Sequence, residues 1–497
     1  MKTYTHFSSS TIVLLVIVCI HFESNAQIPI GQIGYDINGQ APDDYCGISV
    51  SMPNAHTVAV GAPGSTGAAG KTRIFEWNGS AWIQKGNDIY GEFSGDGSAG
   101  SISMPDENTI AIGANNNDGG GTDAGHVRIY SWNGSSWIQK GTDIDGEAPG
   151  DGSGYSVCMP DPNTVAIGAP NNFDGGAYAG QVRIYSWNGS AWVQKGMDVD
   201  GIAVDEALGF SLSMPDSNTF ATGAPFNSTN GTESGVVRIY SWNGNAWTQK
   251  GLTLVGEAAY DYSGWSVSMP DSNTIAIGAY ANSGSYPEAG HVRIYSWNGS
   301  TWQQKGMDID GAFWHDQSGS NVCMPDPNTV AIAAKGNDDG GTDAGQVRIF
   351  SWNGSAWAQR GPDIDGATAE EASGWWVSMP DTNTIAIGAP WNDFAGINAG
   401  VTRVFTLSIP SGNKQLELES IRLYFNPYSE MYRIDFGESC REVKILISNE
   451  NGQNLKNDTY KNLSHVEFSL PGPVGVYFLE IYMDNKRRVI KTINANW

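Results

Sequence analysis

The chain has little positive charge, few cysteines and no long apolar run beyond its first twenty residues. Lysine and arginine number 27 against 52 aspartate and glutamate, a net charge of −25. So acidic a surface repels phosphate backbones and anionic headgroups, which excludes nucleic acid as a partner. Residues 415–497 hold ten basic and eleven acidic side chains, so the excess lies almost wholly upstream of them. Past Ile20 no segment approaches the roughly 20 apolar residues of a membrane-spanning helix, and no membrane insertion is expected. Histidine is scarce, seven in all and none at metal-ligand spacing. No Gly-x-Ser-x-Gly elbow precedes a helix, because no helical period occurs in the repeated part of the chain. With neither a nucleophile beside its base nor an open metal site, the expectation is a chain that is not an enzyme.

What is present is repetition. Ser/Cys-Met-Pro recurs seven times, at Met52, Met104, Met159, Met214, Met269, Met324 and Met379, with a first step of 52 residues and later steps of 55. A fixed period of this size marks a supersecondary unit that buries its apolar face only by stacking on copies of itself. In residues 154–201 the unit holds four runs rich in β-branched and aromatic residues: 154–159, 164–169, 181–187 and 192–199. They are separated by a Pro-Asp-Pro-Asn turn, a glycine-rich loop and an Asn188-Gly189 turn, the last a strong hairpin signal. Four antiparallel strands repeated seven times predict an all-β, seven-bladed β-propeller. The seventh copy lacks its fourth strand. Residues 30–40 supply one, since Gly34, Asp36, Ile37 and Gly39 match Gly86, Asp88, Ile89 and Gly91, and an amino-terminal strand closing the last blade removes an open edge.

The expected organisation is a signal peptide over 1–26, the propeller over 27–409, a linker over 410–417 and a small β-sandwich over 418–497. The leader combines Lys2, an apolar stretch over 11–20 and Ser24-Asn25-Ala26 before Gln27. Cys158 and Cys323 share one slot in copies three and six, where the other copies have serine; blades so far apart lie beyond the roughly 7 Å Cα limit for a disulfide, so both are read as small buried thiols.

Two stretches resemble known families. Gly-Ala-Pro at 61–63, 168–170, 223–225 and 388–390, followed by Gly-x-Val and an aromatic strand, resembles the FG-GAP repeat of integrin α-like propellers. The resemblance covers about 30–408 and implies a cell-surface or secreted binding protein. The calcium loop of that family is not carried over, because Met-Pro-Asp-x-Asn-Thr is too short and has one carboxylate. Residues 418–497 resemble the carboxy-terminal sorting domain of type IX secretion substrates, through Tyr424-Phe425-Asn426-Pro427, Val443-Lys444-Ile445 with Asn451-Gly452, Gly475-Val476-Tyr477-Phe478 and Val489-Ile490-Lys491. That resemblance implies export to the cell surface or medium, with the type IX machinery as a partner of this segment.

Strand parity places the loops after strands two and four on one face and the others on the opposite face. Between copies the first set varies and the second hardly does, so the variable face is expected to carry recognition. Residues there that break the repeat are the candidate ligand contacts: Phe173, Phe226, Tyr280, Tyr286, Phe313, Trp314, His315, Lys335 and Trp391. Lys335 replaces the proline of Gly-Ala-Pro, with Asp338 and Asp339 close behind. Asp118, Asp123, Asp338, Asp339 and Asp343 cluster oxygens in two variable loops; if a cofactor is held there, it is calcium, and otherwise none is called for. The six Trp pairs, Trp77/Trp82 to Trp352/Trp357, are read as hairpin contacts rather than sugar platforms. The expected function is a secreted or surface non-catalytic adhesion module for an extracellular protein or glycan. The alternative is a polysaccharide-active enzyme or lectin using the same face.

Overall fold

Runs such as Thr164–Ala169, apolar after the leading threonine, are buried along their whole length in every copy, as expected of a strand covered on both faces. In the computed structural model the described residues are 31–407, 422–426, 431–449, 454–468, 475–483 and 486–495. The repeats form seven antiparallel sheets. In the third, Ser156–Asp161, Thr164–Ala169 and Gln181–Trp187 follow one another outwards, and the last pairs with both Trp192–Gln194 and Val199–Asp200. The predicted fourth strand is thus two short pieces, divided at Gly196, Met197 and Asp198. Each innermost strand lies beside that of the next blade, and Trp376–Asp381 lies beside Ser49–Asn54, so the seven form a ring. In the seventh sheet, Gly31–Gln32 and Ile37–Asn38 pair with Val401–Thr406. One helical turn, Ser65–Ala68, stands in the second-to-third loop of the first blade, where no helix is expected from the sequence.

The core is distributed among the seams between blades. Ala59, Ile74 and Ile89 of the first blade pack with Ile102, Met104, Ile110 and Ile112 of the second, and similar clusters fill the other six seams. A flat sheet with two apolar faces is stable only when flanked, which is why this sequence repeats rather than ends.

The recurring motifs prove to be seam chemistry. The Met amide of each Ser/Cys-Met-Pro donates to the Ser or Cys side chain of the preceding blade: Met104 to Ser51, Met159 to Ser103, Met269 to Ser213 and Met324 to Ser268. Met214 and Met379 donate to the sulfurs of Cys158 and Cys323, and Met52 to Ser378 completes the circle. Both cysteines are free, and burial pushes their thiols up to about 11, so they serve as acceptors rather than nucleophiles. Ser51→Ala should strand the Met104 amide and cost about 1–3 kcal/mol, whereas Ser51→Cys should stay near wild type. Urea midpoints check this, and equal losses for the two variants would rule out the acceptor role.

The Trp pairs form the outer seam. The indoles of each pair lie 5.3–5.5 Å apart across the hairpin. The Lys of the preceding blade covers them, as with Lys140 over Trp187 and Trp192 at 5.3 Å, and also donates to the turn at Pro162 and Asn163. Trp192 Nε1 donates back to the Lys140 carbonyl. At the ring's junction, Trp82 Nε1 donates to the carbonyl of Ile33 in the amino-terminal segment. The loops that hardly vary are therefore those that join blades.

Contacts divide the chain into Met1–Ser408 and Ile409–Trp497. In the second unit, Arg422–Asn426, Met431–Asn449, Asn454–Phe468, Gly475–Met483 and Lys486–Ala495 form one antiparallel sheet, with Val443, Ile445 and Ile447 buried. A second layer of the expected sandwich is not among the described residues. The signal peptide over 1–26 and the linker over 410–417 lie outside them. No helix among the described residues is long and apolar enough to cross a membrane.

Candidate functional site

One slot at the variable-face start of each innermost strand, after a glycine in six repeats and after Ala99 in the second, brings seven residues together around the axis. They are Ile48, Gly100, Tyr155, Phe210, Trp265, Ser320 and Trp375, and all line one cavity of about 330 Å³. Its wall continues through Ser101, Ser156, Ser211, Ser266, Asn321 and Trp376.

The cavity is chemically lopsided. Tyr155 meets Phe210 at 5.0 Å, Phe210 meets Trp265 at 4.6 Å, and Trp265 meets Tyr280 at 4.5 Å. Farther round, Trp375 and Trp391 meet edge to face at 4.4 Å. The sixth blade offers only Ser320 to this arc, and the gap is filled by Lys335. Its Nζ stands 4.4 Å from the centroid of Trp375, 5.3 Å from Tyr280 and 5.7 Å from Trp265. Among the described residues Lys335 has no carboxylate partner. Burial lowers its pKa, so the ammonium is held by ring faces and is short of a counter-charge. The opposite side, with Ile48, Gly100 and Asn115, carries no ring.

Of the predicted contacts, the structure brings together Phe226, Tyr280, Lys335 and Trp391. Phe226 packs edge-on against Phe210 and Tyr262. Five others stand apart from the cavity. Phe173 packs on Tyr178, Tyr286 is exposed, and Phe313 and Trp314 project into solvent. His315 hydrogen-bonds Glu288 at 3.1 Å on the surface. The acidic setting expected for Lys335 is not found. Asp338 Oδ1 accepts the Asp343 amide and Asp339 Oδ2 accepts from Gln346, so both carboxylates serve their own loop. Asp118 likewise accepts the Asp123 amide. These aspartates act as loop caps, although Asp339 also lies near Asp363 and Asp365.

Sequence reasoning missed Tyr155, Phe210, Trp265, Trp375 and Trp376. The available signal was variation at two adjacent slots at the start of the innermost strand inside an otherwise fixed repeat. It also missed a buried carboxylate in every fourth-to-first loop: Asp44, Asp96, Asp151, Glu206, Asp261, Asp316 and Glu371. These hold the variable face rigid. Asp316 accepts the Ala312 and Phe313 amides and Asn337, while Glu206 and Glu371 are long enough to reach Arg238 and Arg403.

No family profile matches the chain, and no curated protein matches it. Solved structures of similar fold include the β-propeller domain of the Trilobed protease from Pyrococcus furiosus, at 12% identity over 68% of this chain and 90% of that one, TM-score 0.39. Sqt1 from Chaetomium thermophilum gives 15% identity over 82% and 97%, TM-score 0.41. The acylaminoacyl peptidase of Pyrococcus horikoshii gives 12% over 78% of this chain but only 57% of its own, TM-score 0.39. At such identities the likeness is one of fold. Neither resemblance read from the sequence reappears among these three. The expectations of a non-catalytic adhesion module and of a chain that is not an enzyme are corrected on this finding, because propellers of this kind occur within peptidases; neither expectation is retained.

Proposed function

We propose that the axial cavity is a substrate- or ligand-binding site for a single acidic sugar unit, such as a uronate at the end of a glycan. The observation that carries this reading is Lys335, an ammonium with no counter-charge framed by Trp375, Tyr280 and Trp265. A uronate offers what that frame lacks: a carboxylate for Nζ and a flat C–H face for the indoles. A net charge of −25 disfavours a long polyanion, so one anionic unit entering end-on suits the site better than a groove-bound polymer. The blades are read as FG-GAP-like and 418–497 as a type IX sorting segment on the motifs quoted above, which makes the protein secreted or surface-displayed and its ligand extracellular. Residues 31–38 serve in this reading as the latch of the ring, a role supported by their pairing with Val401–Thr406.

Tryptophan fluorescence titrations of the full chain with glucuronate and galacturonate oligomers, against their neutral counterparts, test the site. Uronates should bind at least tenfold tighter. Lys335→Met should abolish that preference while keeping weak neutral binding, and Trp375→Ala should weaken both. Affinity for the uronate should also fall as pH rises through the lowered Lys335 pKa. Equal affinity for charged and neutral sugars, or an unchanged preference in Lys335→Met, would remove the proposal.

A further inference from the structure

One slot, the first residue of each third strand, faces the acidic groups of its own fourth strand and of the preceding loop. Its occupant tracks those acids. In the first blade Lys71 places its ammonium 3.2 Å from Asp44. In the third and sixth, Gln181 donates to Glu147 and Asp200, and Gln346 to Asp339 and Asp365. In the fourth the slot is Val236, and Thr253 and Val255 stand where other blades have aspartates. Where the slot holds a donor there are acids; where it is apolar, both aspartates are gone in the fourth blade, and in the seventh, with Val401, the remaining Asp36 is taken by Arg403.

The second and fifth blades break this balance. His126 faces Glu92, Asp143 and Asp145, and three repeats later His291 faces Glu257, Asp308 and Asp310. Both imidazoles are 1% exposed. Among the described residues, neither ring nitrogen of His126, nor Nε2 of His291, has a hydrogen-bond partner. His126 Nδ1 stands 3.7 Å from Asp143 Oδ2 and 4.0 Å from Asp145; His291 Nδ1 stands 3.6 Å from Asp308 Oδ2 and 4.0 Å from Glu257. These separations are too long for hydrogen bonds. They are near the roughly 3.4 Å edge of a tetrahedron of ligands about 2.1 Å from a central ion.

We propose that Glu92, His126 and Asp143, and again Glu257, His291 and Asp308, each hold a divalent transition cation of the zinc class. One imidazole with two carboxylates favours such an ion over calcium, which takes six to eight oxygens. Each site has outer support: Gln139 donates to Asp143 Oδ1 and Gln304 to Asp308 Oδ1, leaving each Oδ2 turned to the histidine. Arg128 and Arg293 face the same glutamates at 3.6 and 3.4 Å and are the competing cations. Burial and the neighbouring arginine push both histidines below their ordinary value, His291 to about 4, so near neutral pH they stand ready as uncharged ligands. None of Asp118, Asp123, Asp338, Asp339 and Asp343 belongs to either group, and both groups lie apart from the residues that line the axial cavity.

The test uses the full chain, stripped with EDTA, dialysed against Zn²⁺ and measured by elemental analysis. His126→Gln and His291→Gln install the residue found at 181 and 346, so the fold tolerates them. Wild type should retain two ions more than the double variant, and each single variant one more. Zinc content equal in wild type and the double variant would overturn the proposal, as would wild-type binding of Ca²⁺ but not Zn²⁺ that the glutamine variants abolish.

Discussion

Replacing Phe220 by alanine should destabilise the propeller by about 3–5 kcal/mol, the range for truncating a buried phenylalanine. Phe220 is fully buried in the seam between the third and fourth blades, with Val182, Ile184 and Leu208 around it. Its ring stacks on Tyr240 at 5.1 Å and meets Trp247 edge-on at 5.0 Å. The six other copies carry Val58, Ile110, Val165, Ile275, Val330 or Ile385 in this slot, and Thr222 replaces the isoleucine or valine found two residues on. The large ring thus compensates a polar neighbour, and neither sheet can collapse into the void without leaving its other partner. Phe220→Ile restores the commoner residue and should cost less than half as much. Guanidinium midpoints distinguish the two, and an unchanged midpoint for the alanine variant would show that the seam repacks freely.

Seven sheets were legible because each strand end carries its own chemistry. Asn-Gly closes the outer hairpin, Pro-Asp closes the inner one, and the 55-residue step repeats both. The axial cavity was not legible from the loops, since Tyr155, Phe210, Trp265 and Trp375 each stand one residue before an innermost strand and become neighbours only when the ring closes. Phe226, Tyr280, Lys335 and Trp391 were found because they follow the second strand, whose end reaches the same mouth. Phe313, Trp314 and His315 satisfied the same criterion of irregularity, but their loop turns outwards around the buried Asp316. Chain proximity misled for Lys335: a tight turn sends Asp338 and Asp339 back into their own loop while the lysine points to the axis. The acids that face His126 and His291 were hidden in the same way, because they arrive from another strand and the preceding blade's loop.

Arg403→Ala should cost about 3–5 kcal/mol at neutral pH, because it leaves the carboxylate of Glu371 buried and unpaired. Arg403 holds that carboxylate through two hydrogen bonds of 2.7 and 3.1 Å and reaches Asp36 of the amino-terminal segment at 3.2 Å. Burial alone would push the Glu371 carboxyl up. The bonds and charge of Arg403, with the Ala367 amide and Asn392, outweigh burial and hold it below its ordinary 4.5. A carboxyl lowered by folding stabilises above its unfolded pKa and loses that contribution as pH falls through the folded value. In Arg403→Ala the lone carboxyl instead takes up a proton at higher pH, so the gap between wild type and variant should narrow from pH 7 towards pH 4. Denaturation midpoints across that range check it, and a constant gap would argue that Arg403 acts by packing alone. Adding Glu371→Gln to the variant should recover part of the loss even at pH 7. Arg238→Ala is the informative partner, since Arg238 holds buried Glu206 in the same bidentate way but touches no amino-terminal residue. Any loss in Arg403→Ala beyond that in Arg238→Ala measures what the contact with Asp36 contributes to stability.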